Sequence, residues 1–120
     1  YHKGHKTDPA AETYRLLGVR PLASVDVGQL EQRLVYIMLN EAALAASEGV
    51  IRSARDGDIG AIFGIGYPPF RGGPVRYMDT LGAGEVVRTL EGLALAHGPR
   101  FTPAPVLLDI ARSGERFHSD

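Results

Sequence analysis

Apolar residues fall in clusters at helical spacing along this chain, with glycine or proline between one cluster and the next. The longest cluster predicts a helix from about Asp26 to Glu48, on which Leu30, Leu34, Ile37, Met38, Ala42 and Ala45 form one apolar face. Beyond Val35 the segment is apolar almost all round, which calls for neighbours on more than one side. Asn40 and Glu41 interrupt that run. Each polar group buried there without a partner costs on the order of 1–3 kcal/mol. Two readings answer this: a ligand contact, or hydrogen bonds to the exposed backbone of a Gly/Pro loop further on. Gly49 ends the helix, and Val50-Ile51 can fold back onto it as an apolar contact.

The other helices are bounded by similar local signals. Asp8 as N-cap and Pro9 at the first helical position open a short helix over about 9–17, which turns Leu16 and Leu17 to the core and stops at Gly18. Ser53 with Asp56 three residues on resembles a capping box and starts a helix over about 54–63 that buries Ile59, Ile62 and Phe63. Gly57, Gly60 and Gly64 weaken that helix by up to ~1 kcal/mol each. Such a concentration predicts another backbone passing close by. A short helix follows from about Gly73 to Leu81, stopped by Gly82. Glu85 begins the next, with Val86, Val87, Leu90, Leu93 and Ala94 inward, ending at Gly98-Pro99. Thr102-Pro103 repeats the cap-then-proline start, Val106, Leu107, Ile110 and Ala111 make the last face, and Gly114 closes it. No segment sustains a period of two. The pattern therefore predicts an all-α domain of five or six helices.

Between the third and fourth of these helices lies Gly64-Ile65-Gly66-Tyr67-Pro68-Pro69-Phe70-Arg71-Gly72-Gly73. Its glycines admit close backbone approach, and its paired prolines fix φ and remove donors. Ile65, Tyr67 and Phe70 would not be needed in a solvated linker. We expect a structured loop laid across the core, with Gly64, Gly66, Pro68, Pro69, Gly72 and Gly73 as its structural residues and Asn40 and Glu41 as its supports.

Composition narrows the function classes. A chain of 120 residues with 44% hydrophobic and 22% charged residues is an ordinary single globular domain. Residues 1–8 read as an incoming linker and residues 9–120 as the domain. The formal net charge of −1 gives no electrostatic footprint for nucleic acid. Without cysteine there is neither a disulfide nor a thiolate site. No apolar run approaches the ~20 residues of a membrane span, the first residues are not a signal peptide, and the expected location is cytoplasmic. The chain starts without Met, as expected of a piece of a longer protein.

Candidate chemistry is sparse. His2 and His5 could be written as a metal pair, but no third ligand lies near them, so a solvated tail is the reading adopted and no metal is expected. Gly64-Ile65-Gly66 lacks the third glycine and the strand–helix setting of a dinucleotide loop. Arg71 and Arg76 could hold a phosphate, or simply answer Asp79 and Glu85 on the surface. His97, at a helix end, and His118, in the tail, are acid–base candidates with no partner that the sequence can place. Asp56 and Asp58 are two apart on a helix and do not share a face. The residues by themselves assign no catalytic group.

Several stretches carry a specific likeness, in order and spacing. They are Leu39-Asn40-Glu41-Ala42, Glu48-Gly49-Val50-Ile51, Asp56-Gly57-Asp58-Ile59, Phe63 through Phe70, Gly72-Gly73-Pro74 and Asp79-Thr80-Leu81-Gly82. Together they resemble the helical C-terminal domain of 3-hydroxyacyl-CoA dehydrogenases. The paired prolines and Arg100-Phe101-Thr102-Pro103 resemble its second, terminal copy in multifunctional fatty-acid oxidation α-subunits, which also carry an enoyl-CoA hydratase region. Tyr1 and Lys6-Thr7-Asp8-Pro9 resemble the linker that leaves the first copy.

The resemblance implies a domain without its own catalytic residues. The family's catalytic His–Glu pair and NAD-binding domain would lie upstream, so NAD belongs to the parent protein and no cofactor to this chain. Where the catalytic copy has a substrate-contacting Asn followed by Arg, this chain has Gln32-Arg33. Where some members have a substrate-contacting Tyr, it has Phe63. Gln32 and Phe63 are thus the implied substrate contacts, the second able only to pack. The implied partners are the sister C-terminal domain and the NAD-binding domain of the parent chain, with acyl-CoA as the parent's substrate. Excised from those partners, the domain is expected to form a homodimer through its long helix. The rival reading is an independent helical association module. A third, a small enzyme with its own site around His97 or Arg71, would need turnover from this chain alone.

Overall fold

The computed structural model describes residues 11–20 and 24–118. It contains α1 (Ala11–Leu17), α2 (Val27–Ser47), α3 (Ala54–Ile65), α4 (Pro74–Leu81), α5 (Ala83–His97) and α6 (Pro105–Ser113), with single 3-10 turns at Pro69–Arg71 and Pro99–Phe101. Among the described residues there is no strand. The expected all-α class and helix number hold. The expected linker over 1–8, the Asp8-Pro9 helix start and the His2/His5 pair lie outside the described residues.

Local chemistry sets most helix ends. Asp26 Oδ1 accepts from the Gln29 amide at 3.0 Å, and Ser53 Oγ accepts from the Asp56 amide at 3.1 Å. At the end of α2 the Val50 amide returns to the Ala45 carbonyl and the Gly49 amide to that of Ala46, with Gly49 at φ +72°. This paired closure needs a left-handed residue, and glycine adopts it without a Cβ penalty. The last helix differs from expectation. It opens at Ala104-Pro105, two residues after Thr102-Pro103, because Phe101 and Thr102 first close a 3-10 turn onto Gly98 and Pro99.

The core sits where α2 crosses α4, α5 and α6. Leu39, Ala43, Val75, Met78, Val86, Val87, Leu90, Leu93, Phe101, Ala104 and Leu107 fill it. The inward residues of α5 are those the pattern predicts, with Ala94 at the margin. On α2 the predicted face is only partly inward: Ile37 and Ala42 pack against the core and Ala45 is half-buried. Leu39, Asn40 and Ala43 are buried, with Val35 and Tyr36 beside them, whereas Leu30, Leu34 and Met38 are exposed. One residue is about 100° of helix, so neighbours chose between two adjacent apolar stripes. Leu16 and Leu17 are also exposed, since α1 packs on none of the described elements to any extent. On α3, Ile59 and Phe63 are exposed and Ile62 is half-buried; the buried residue of that helix is Asp58. Its glycines do not mark a passing backbone. A Cβ at Gly60 or Gly64 would meet nothing within 4 Å, and one at Gly57 would meet the Ile51 and Val75 side chains.

The Gly/Pro loop is structured but only partly inward. Tyr67, Gly73 and Pro74 are buried, while Ile65 and Phe70 face outward. Helix α3 runs two residues further than predicted, which carries Ile65 to its outer side.

Candidate functional site

Two features could carry function: a buried polar cluster at the start of α4, and an apolar face left open beside α2. The cluster follows from a missing cap. Helix α4 begins Gly73-Pro74, and Gly73 offers no side chain to its first amides. Asp58, reaching over from α3, supplies one. Its Oδ1 accepts from the Val75 amide at 2.7 Å, and its Oδ2 from the Arg76 amide at 3.1 Å. A carboxylate at a helix N-terminus is favoured both by the free amides and by the helix dipole. Gly73, at φ +106°, makes room for it, since a Cβ there would lie 2.3 Å from the Asp58 side chain.

Asp58 then meets the tail. His118 Nε2 lies 3.0 Å from Asp58 Oδ2, and Nδ1 lies 2.8 Å from Asp79 Oδ2. Asp79 also accepts from the backbone amides of Phe117 at 2.9 Å and His118 at 3.0 Å. All three side chains are nearly inaccessible. Burial pushes the Asp58 carboxyl above the ordinary carboxylate range, outweighing the opposite pull of the Val75 and Arg76 amides and of the His118 and Arg76 charges. A cleft of about 470 Å³ opens beside the cluster, lined by Arg55, Asp58, Ile59, Ile62, Gly72, Arg76 and His118. Nothing in this arrangement is a nucleophile, and no group of three metal-ligating side chains is poised for an ion among the described residues.

The partner that the sequence could not give His118 is thus a pair of aspartates, 39 and 60 residues away in the chain. The signal that could have found them is the uncapped Gly73-Pro74 start together with two aspartates, Asp58 and Asp79, in the interiors of helices. Asp79 is taken up by the tail, and Glu85 pairs with Arg88, so neither is the surface partner expected for the loop arginines. The Arg71 guanidinium lies over the Tyr77 ring at 4.3 Å and near that of Phe70 at 5.8 Å. His97 is exposed, its ring edge-on to Phe101.

Asn40 has a structural partner, though not the expected one. Its Nδ2 donates to the Thr102 carbonyl at 2.9 Å and its Oδ1 accepts from the Ala104 amide at 2.8 Å. The backbone it serves is the Thr-Pro-Ala-Pro segment before α6, not the loop at 64–73. Glu41 is exposed. Of the loop residues, Gly66 caps α3 at φ +72°, Gly72 closes the 3-10 turn at φ +79°, and Pro68 and Pro69 are exposed. Gln32 and Phe63 do not converge. Gln32 lines a cleft of about 420 Å³ between α2 and α5, with Gln29, Arg88, Gly92 and His97, whereas Phe63 stands 86% exposed on α3.

The second feature is an open apolar face beside α2. Leu30, Leu34 and Met38 on α2, Ile65 at the end of α3 and Phe70 in the 3-10 turn are all exposed. A groove of about 260 Å³ runs through this region, lined by Leu34, Met38, Ile65, Tyr67 and Phe70, with Glu31 and Arg71 along it. The Tyr67 ring is buried at its floor. Its hydroxyl finds no hydrogen-bond partner among the described residues, and burial raises its pKa.

Fold and site together define an all-helical domain with a polar staple and an uncovered apolar side, and no nucleotide-binding or metal-binding architecture among the described residues. No family model matches the chain. It is 53% identical over 116 residues to the fatty acid oxidation complex subunit alpha of Shewanella amazonensis. The match takes in 97% of this chain but 16% of that protein, so the chain spans about one sixth of its relative's length. No described helix is long and apolar enough to cross a membrane.

Proposed function

We propose that this chain is the terminal helical domain of a multifunctional fatty-acid β-oxidation protein, a second copy that does no chemistry itself and docks on the catalytic copy. The parent reaction is the NAD-dependent oxidation of a 3-hydroxyacyl-CoA to the 3-ketoacyl-CoA, next to an enoyl-CoA hydratase activity. The docked copy helps shape the acyl-CoA cleft.

The observation that carries this reading is the open face formed by Leu30, Leu34, Met38, Ile65 and Phe70. Fully covering one such side chain is worth about 1.5–3 kcal/mol, so five supply on the order of 10 kcal/mol before the costs of association. A face of that kind on a single domain marks an interaction site. Its position also accounts for the second apolar stripe of α2, Leu30, Leu34 and Met38: one stripe serves this domain's own core and the adjacent one serves a partner.

Two measurements on the chain test the proposal. In sedimentation it forms a concentration-dependent dimer that Leu34→Glu disperses, and in calorimetry it gives no heat with NAD. A monomer at every concentration, or NAD binding at micromolar affinity, overturns it.

A further inference from the structure

The end of the described chain is held down by a contact that depends on protons. Phe117 is half-buried against the core, and the backbone amides of Phe117 and His118 both donate to Asp79. The His118 ring then bridges Asp79 on α4 to Asp58 on α3. Both bridging contacts join a ring nitrogen to a carboxylate oxygen, at 2.8 and 3.0 Å. An ionised carboxylate accepts and cannot donate, and a neutral imidazole has one N–H and one bare lone pair. Making both contacts therefore takes two protons shared among Asp58, His118 and Asp79. With only one, a lone pair of the ring faces a carboxylate oxygen at hydrogen-bond distance with nothing between them.

We propose that residues 115–118 are a strap closed by this Asp–His–Asp clasp, which opens when the cluster loses its second proton. The other charged or titratable groups around the cluster are Arg55 on α3 and Arg76 on α4, which line the adjoining cleft, Glu115 and Arg116 of the tail, which line a smaller one with Asp79, and the Tyr67 hydroxyl, which burial first and the Asp58 charge in lesser part hold above its usual range. An arginine stays positive and a surface carboxylate negative between about pH 5.5 and 8.5. The proton that decides closure is shared among three side chains in contact, so it belongs to the cluster and not to any one of them. The sign follows. The closed strap holds one proton more than the open one, so acid favours closure and alkali favours opening. Opening removes the His118 wall of the cleft and takes Phe117 from the core. It leaves Asp58 on the α4 amides, so α4 keeps its cap and the helices stay folded.

Amide hydrogen exchange tests this, because the Phe117 and His118 amides report closure directly. Exchange is measured on the whole chain at about pH 5.5 and about pH 8.5, either side of ordinary imidazole titration, and corrected for intrinsic rates. Protection of these two amides is expected to fall at least tenfold at the higher pH, while the core amides of Leu90 and Leu107 keep theirs. In His118→Phe, whose ring has no N–H to offer either aspartate, protection of the two amides is low at both values. Protection that is the same at both pH values in the unaltered chain overturns the proposal. So does His118→Phe with the protection of the unaltered chain.

Discussion

Asn40 offers the sharpest test of how this fold is held together. The segment Thr102-Pro103-Ala104-Pro105 has two residues without an amide hydrogen, so between Thr102 and α6 the only backbone donor is Ala104. That donor is buried, and Asn40 Oδ1 receives it, while Asn40 Nδ2 satisfies the Thr102 carbonyl. Asn40 is itself only 2% exposed. Asn40→Ala leaves both backbone groups without a partner, at about 1–3 kcal/mol each, or roughly 2–5 kcal/mol in all once some relaxation is allowed. Against a typical domain stability of about 5–15 kcal/mol, that is a large share. Asn40→Asp separates the two bonds. The carboxylate still accepts from Ala104, but it sets an oxygen against the Thr102 carbonyl and buries a charge. Protonated, the same side chain can donate to Thr102, so this variant should recover part of its loss on going from about pH 7 to about pH 4. Urea unfolding followed by circular dichroism gives the free energies, and exchange at the Ala104 amide shows whether the loss is local. A loss below about 0.5 kcal/mol for Asn40→Ala, with an unchanged denaturant slope, would refute the reasoning.

Further outcomes follow from the α3–α4 junction. Gly73→Ala has to place a Cβ at φ +106° and 2.3 Å from Asp58, so strain and overlap together should cost about 2–5 kcal/mol. Gly64→Ala, with open space around it in a helix, should be neutral or stabilising by up to ~1 kcal/mol. Thermal melts giving the reverse order would contradict the structure. The Asp58 carboxyl sits above its ordinary range through burial, so its contribution is fully present below the unfolded value of about 3.9 and is lost as the pH rises through the folded value. The stability of the unaltered chain relative to Asp58→Asn should therefore fall from about pH 4 upward. A difference that stays flat or grows over that range would show that the amides and His118 outweigh burial.

Where most of the helices begin and end is legible in the order of residues, the end of α3 and the start of α6 excepted. Asp26 and Ser53 each bond an amide three residues on, and Gly49, Gly82 and Gly114 take positive φ at the stops. These interactions span about one helical turn, so a short stretch of chain contains each of them whole. The buried stripe of α2 is another matter. Met38 and Leu39 are adjacent apolar residues with equal claims on the core, and it took α4, α5 and α6 to leave the first 39% exposed and bury the second completely. The same holds for Asn40, whose partners lie 62 and 64 residues further on, and for Asp58, which caps a helix that is not its own. Phe63 and Phe70 have the composition of core residues, yet they stand in the open because none of the described elements covers them. Burial and long-range hydrogen bonding depend on which surfaces meet. That is a property of the assembled helices, and no single helix contains it.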